Sequence, residues 1–225
     1  MDASTPVHPI PAAHRPPESR WPAAIAVIAA LVLYVTLPEH LTIGPRWLVP
    51  ALELALLVPL MVVAPRRIQD EPGARRVFAI ILIAIINAAN IASLALLVRF
   101  LTAPGSKVTG IELLSSSAAV WFTNIIVFGL WYWELDGGGP HRRYQHSPRT
   151  RDFLFPQMVT PKYAAEDWHP GFIDYLFVSF TNASAFSPTD TMPLTAAAKA
   201  LFLIQAVTSL LTVALVASRA VNILS

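Results

Sequence analysis

Between positions 179 and 195 the chain places Ser179, Thr181, Ser184, Ser187, Thr189, Asp190, Thr191 and Thr195 close behind the apolar stretch Phe172-Ile173-Asp174-Tyr175-Leu176-Phe177-Val178. Oxygens of hydroxyls and carboxylates in a row are ligands for a partly dehydrated cation, and a short helix that feeds a hydroxyl-rich strand is how selectivity filters are built. Asn182-Ala183-Ser184 also fits the glycosylation sequon, but a glycan has no room in such a segment. Other polar groups stand inside apolar runs. Glu53 is one, and an ionisable residue at membrane depth marks either a functional site or a carboxyl neutralised or paired within the bundle. Asn87 and Asn90 share one helical face with Ser93, and with Asn124, Gln205, Thr208 and Thr212 they suit interhelical hydrogen bonds worth about 0.6–2 kcal/mol each. His141, His146, His169, Glu166 and Asp167 follow no ligand spacing, so neither a metal nor a cofactor is expected. Catalytic motifs are missing too: no Ser/His/Asp pattern, no HExxH and no phosphate-binding glycine loop occurs, and an enzyme is not expected.

The elements that must position these groups follow from composition. Of 225 residues, 55% are hydrophobic and 13% charged, about half the charge of a soluble domain, and mean hydropathy is +0.54. A lipid bilayer is the expected partner. The formal charge of +2 leaves no basic stripe for a nucleic acid, and without cysteine there is no disulfide or thiolate chemistry. Taking about 20 apolar residues as one crossing, five segments qualify, at about 22–38, 47–65, 77–101, 113–135 and 196–223. With every backbone group satisfied internally they are helices, so the fold class is an all-α integral membrane protein. Residues 1–20, with Pro6, Pro9, Pro11, Pro16 and Pro17, read as a disordered polar tail. Residues 21–112 form a three-helix bundle, and 113–225 form a second region with an extramembrane loop at 136–170. The apolar part of 171–195 is too short to cross and reads as re-entrant between helices four and five. Trp121, Trp131, Tyr132 and Trp133 read as interfacial anchors of helix four.

The stretch SFTNASAFSPTDTMPLT at 179–195 resembles, without a gap, the pore loop of the potassium-type ion channel superfamily, SFTTLTTVGYGDxxPxT. Ser179, Phe180, Thr181, Asp190, Pro193 and Thr195 match, and Ser184 stands where the family has threonine. Residues 196–224 resemble the inner helix of the two-helix pore module, which makes helix four its outer helix. About half the chain, 113–224, is covered. The departure lies in the filter, where Gly-Tyr-Gly becomes Ser187-Pro188-Thr189. Glycine adopts the positive φ that turns successive carbonyls inward, which Ser and Thr do at a steric cost and Pro188 cannot do at all. The resemblance therefore implies a homotetramer that passes monovalent cations with weak selectivity, lined by Thr181, Ser184, Ser187, Pro188, Thr189 and Asp190; Asp190 either lines the pore or braces it.

Two readings besides a channel stay open. One is a non-conducting scaffold or sensor that keeps a relict pore module; the other is a small secondary transporter with Glu53 as coupling carboxylate. Orientation draws opposite answers from charge and from resemblance. Arg15, Arg20, Arg66, Arg67, Arg75, Arg76, Arg142, Arg143, Arg149, Arg151 and Lys162 fall on one side, which the positive-inside bias assigns to the cytoplasm, whereas the resemblance implies that the loop faces outward. The charge bias is followed here, with the plasma membrane as the expected location.

Overall fold

A computed structural model of the chain describes residues 19–45, 47–62, 72–103, 109–140, 142–143, 151–166, 168–184 and 191–224. Most of the expected tail, Arg66, Arg67, His141, His146 and Asp167 lie outside them, as do Ser187, Pro188, Thr189 and Asp190. The described chain is mostly helical, with one small strand pair: α1 (Trp21–Thr36), α2 (Leu48–Val62), α3 (Pro72–Thr102), α4 (Gly110–Leu135), β1 (Phe153–Leu154), α5 (Pro156–Val159), α6 (Phe172–Ala183), β2 (Met192–Pro193) and α7 (Ala196–Leu224). The protein thus has the helical character expected, with an antiparallel pair, Phe153 opposite Pro193 and Leu154 opposite Met192, that is too short to leave a period in the sequence.

Among the described residues three helical segments are long and apolar enough to cross a membrane, Arg75–Thr102, Gly110–Gly138 and Ala196–Ala217, whereas Trp21–Thr36 and Leu48–Val58 are shorter apolar helices. Chain chemistry sets the end of α1. Pro22 sits in its first turn, where a missing N–H has no partner to lose, and after 16 residues the backbone turns extended at Leu37, ahead of Pro38. At 1.5 Å per residue that is about 24 Å, short of a 30 Å hydrocarbon layer. Thr109 caps α4 by accepting the Glu112 N–H at 3.2 Å.

α4 is the centre of the bundle and packs against α1, α3, α6 and α7. Its face carries Val127, Phe128 and Tyr132, all fully buried. Tyr132, Phe153 and Phe202 form a triangle of rings with centroids 5.0–5.7 Å apart, joining α4, β1 and α7. This corrects the anchor reading of Tyr132 and Trp133: both are core residues, at 0% and 3% exposure, because β1 and α6 cover the face that sequence alone would leave at an interface. Gly129 lets α6 come close, since a Cβ there would lie 3.1 Å from Leu176 Cα.

Candidate functional site

α6 is held by its neighbours at three levels. At its N-terminus Asp174 accepts the Gly171 N–H at 2.8 Å, and one turn on Tyr175 donates its hydroxyl to Asp136 Oδ2 at 2.6 Å. Midway, Ser179 Oγ donates to the Ile125 carbonyl of α4 at 2.7 Å. At its C-terminus the Ala183 carbonyl accepts Ser209 Oγ of α7, which also accepts the Trp121 Nε1–H at 2.8 Å. Contacts that advance along α6 while they retreat along α4, from Asp136 to Ile125 to Trp121, set the two helices antiparallel.

Gln205 is the hub of the middle level. Its Nε2 donates to the Ser179 carbonyl at 2.9 Å and to Ser179 Oγ at 2.7 Å. Its Oε1 accepts the Tyr132 hydroxyl and Asn182 Nδ2, the latter at 2.8 Å. Asn182 also donates to the Phe202 carbonyl at 3.1 Å, and Asn124 Nδ2 lies 3.4 Å from the Gln205 carbonyl. One amide thereby ties α4, α6 and α7 with both its donor and its acceptor used. Asn182, read in the sequence only as part of a sequon, spends its amide here.

A second hub closes the end of the bundle. Asp136, fully buried, accepts the Asp152 N–H at 2.7 Å and the Phe153 N–H at 3.2 Å, besides the Tyr175 hydroxyl. Arg151 lies 3.3 Å from its Oδ2. Asp152 in turn accepts the Thr195 hydroxyl at 2.6 Å and the Gly137 N–H at 3.1 Å, and its carbonyl accepts the Leu194 N–H at 2.8 Å. Arg143, 1% exposed, lies over the Tyr175 ring and donates to its hydroxyl and to the Trp133 carbonyl. Gly137 makes the turn possible with φ +59°, the left-handed region, 3.0 Å from Arg143 Cβ by the position a side chain would take. The extramembrane loop expected at 136–170 is therefore tied to the helix ends through Asp136, Arg143, Arg151, Asp152 and Phe153. The consequence for α6 is topological: the chain leaves Asp136, runs down α6 to the level of Trp121 and Ser209, and by Thr191 to Thr195 is back at Asp152.

Of the expected lining residues, Thr181 and Ser184 are described. Both donate their hydroxyls back into α6, Thr181 to the carbonyls of Phe177 and Val178 and Ser184 to that of Phe180 at 2.7 Å, which leaves their lone pairs as acceptors. Thr208 and Thr212 likewise donate their hydroxyls within α7, to the carbonyls of Ile204 and Thr208.

Glu53 lies apart from both hubs and is 1% exposed, with Oε2 lacking any hydrogen-bond partner. Val49 packs in one cluster with Leu94, and Leu97 in another with Leu113. One turn on from Val49 is Glu53, one turn back from Leu94 is Asn90, and the same step from Leu97 and Leu113 reaches Ser93 and Ser117. By this register Glu53 of α2 falls near the level of Asn90, and Ser117 of α4 near that of Ser93, about one turn farther along α3. Asn87 Oδ1, Asn90 Nδ2 and the hydroxyls of Ser93, Ser116 and Ser117 are also buried without a partner, so the interhelical bonds expected of Asn87, Asn90 and Ser93 are not made by these atoms.

Comparison with protein-family models, with curated proteins and with solved structures finds no match to this chain.

Proposed function

We propose that the chain is the subunit of a pore-loop membrane protein, a homotetramer that passes monovalent cations with weak selectivity across the plasma membrane. The observation that carries this reading is the return of the chain: a 12-residue helix descends beside α4 and α7, and residues 191–195 are bound again at the Asp152 level from which it set out. In a bilayer that course is re-entrant, and irregular polar backbone at such depth is stable only when buried in protein or lining a wet cavity. The C-terminal end of α6, where the helix dipole is negative and favours a cation, leads into Ser184 and onward to Ser187, Pro188, Thr189 and Asp190. Hydroxyls in place of filter glycines give ligands of looser geometry than stacked carbonyls, hence weak selectivity. One subunit supplies one loop, so a central pore needs several copies in a ring. Ile173, Phe177 and Phe180, on one face of α6 and 63%, 55% and 42% exposed, form the uncovered stripe through which copies would meet. On this reading the two shorter apolar helices complete five crossings by tilting or by local thinning of the bilayer.

Purified protein in liposomes tests this directly. Cation flux is expected, altered by Asp190→Asn and lost with Ser187→Leu, and images of the protein in nanodiscs are expected to show a fourfold ring around residues 184–191. A ring without flux replaces the channel with the non-conducting scaffold; a monomer overturns the pore.

Glu53 supports a second reading. A buried carboxylate with an unpartnered oxygen, on an apolar helix that packs against α3, is the chemistry of a coupling site in a transporter. Flux that needs Glu53 but is indifferent to Asp190 would favour it.

A further inference from the structure

At the Asp136 end of the bundle a pocket is lined by Arg20, which precedes α1, by Arg75 and Arg76 of α3, by Glu134 of α4 and by Gly139, with Arg142 at its rim. Arg20, Arg75 and Arg76 share this lining with one carboxylate, that of Glu134. That carboxylate is buried, at 1% exposure, with Oε2 3.9 Å from Arg20 and accepting no hydrogen bond. Arg76 Nε is buried without a partner. Gly139, at φ +97°, lets the backbone pass close to Glu134, since a Cβ would stand 3.1 Å from the Glu134 carbonyl, 3.3 Å from its Oε1 and 3.7 Å from Arg76 Nε.

A second cavity runs on from the first and shares Arg20 and Glu134 with it. Beyond them its walls are apolar, among them Ala23 and Val27 of α1, Leu57 of α2, Leu82 of α3 and Leu130 of α4. Arg20 stands at the junction, its guanidinium 5.3 Å from the centroid of the Trp133 ring. An excess of guanidinium at one end and hydrocarbon at the other is complementary to one class of molecule. Arginine forks bind phosphate, basic pockets between membrane helices on the basic side of a protein bind anionic head groups, and an apolar groove between helices accepts an acyl chain.

We propose that this composite site binds an anionic phospholipid, its phosphate among Arg20, Arg75 and Arg76 and one acyl chain in the groove between α1, α2, α3 and α4. The lipid supplies the negative charge that Glu134 alone does not, and it joins α1 and α3 to the end of α4. This site is independent of the pore reading, and binding is measured without flux.

The test uses the full chain in neutral detergent, titrated with phosphatidylglycerol, phosphatidylcholine or inorganic phosphate, with bound lipid counted by native mass spectrometry and thermal unfolding followed in parallel. Phosphatidylglycerol is expected to bind and to raise the unfolding temperature, phosphatidylcholine and inorganic phosphate to do neither at equal concentration. Replacing Arg75 and Arg76 by Ala is expected to weaken binding about thirtyfold, taking about 1 kcal/mol for each basic residue, whereas Lys at both positions keeps most of it. Ala23→Phe, which fills the groove, is expected to abolish lipid binding while the arginines remain. Equal binding of phosphatidylcholine overturns the charge recognition. Inorganic phosphate that displaces the lipid and stabilises as well as it does overturns the lipid in favour of a free anion. Binding unchanged in both the double arginine variant and Ala23→Phe overturns the site itself; should one variant fail to fold, the other and the Lys pair still decide.

Discussion

Asp136 and Gln205 are surrounded by donors and acceptors that match them, whereas Glu53, equally buried, carries an oxygen with none. Asp136 takes up two backbone N–H groups, a tyrosine hydroxyl and a guanidinium, and Gln205 uses donor and acceptor together. Such saturation gives rigidity, because moving any member exposes another in a medium with no water to replace it. Glu53 has the opposite property. A buried carboxylate oxygen without a partner costs about 1–3 kcal/mol when left dry. The first two residues hold α6 in place; Glu53 holds nothing through that oxygen.

Substitutions should break this contrast in order of size. Asp136→Ala removes the shared acceptor of Arg151, the Tyr175 hydroxyl and two N–H groups and is expected to lower stability by about 3–5 kcal/mol, seen as loss of monodisperse protein or a large fall in the unfolding temperature in detergent. Gln205→Leu removes the tie among α4, α6 and α7 and is expected to lower stability by about 2–3 kcal/mol, since Tyr132 and Asn182 lose their shared acceptor; the same thermal assay reads it. Gly129→Val forces α6 away from α4, with an overpacking cost of about 1–3 kcal/mol, and a cross-link between cysteines placed at 125 and 179 should slow accordingly. Glu53→Leu should run the other way. Removing an orphaned carboxylate is expected to raise the unfolding temperature slightly, by the equivalent of about 1 kcal/mol. A marked destabilisation by Glu53→Leu would mean that Glu53 is matched like Asp136, and the contrast would fall.

Legibility from sequence divided along similar lines. The apolar run at 171–183 is too short to cross and ends in hydroxyls, and α6 at Phe172–Ala183 lies within it; the spans near 77–101, 113–135 and 196–223 correspond to α3, α4 and α7. Helix length and hydropathy are local properties, so they are readable. Gln205 and Asn124 were visible as polar residues in apolar helices, but not their partners. Tyr132 and Ser179 carried signals for other roles, the tyrosine as an interfacial anchor and the serine as a matched position of the pore-loop resemblance, and neither pointed to Gln205. Asp136 lay in a loop start of Asp-Gly-Gly-Gly-Pro, which suggests a turn and says nothing of four donors converging from residues 15 to 39 positions away.

By itself the sequence determined that the chain belongs in a bilayer, where its long helices run, and that one apolar segment stops before completing a crossing, because burial of hydrocarbon and the need to satisfy every backbone group act on each stretch separately. Only the tertiary structure decided which polar residues are mated and which are stranded. A hydrogen bond depends on the relative height and rotation of helices remote in sequence, and a shift of α7 by one helical turn would take Gln205 from its partners without changing the hydropathy of any segment.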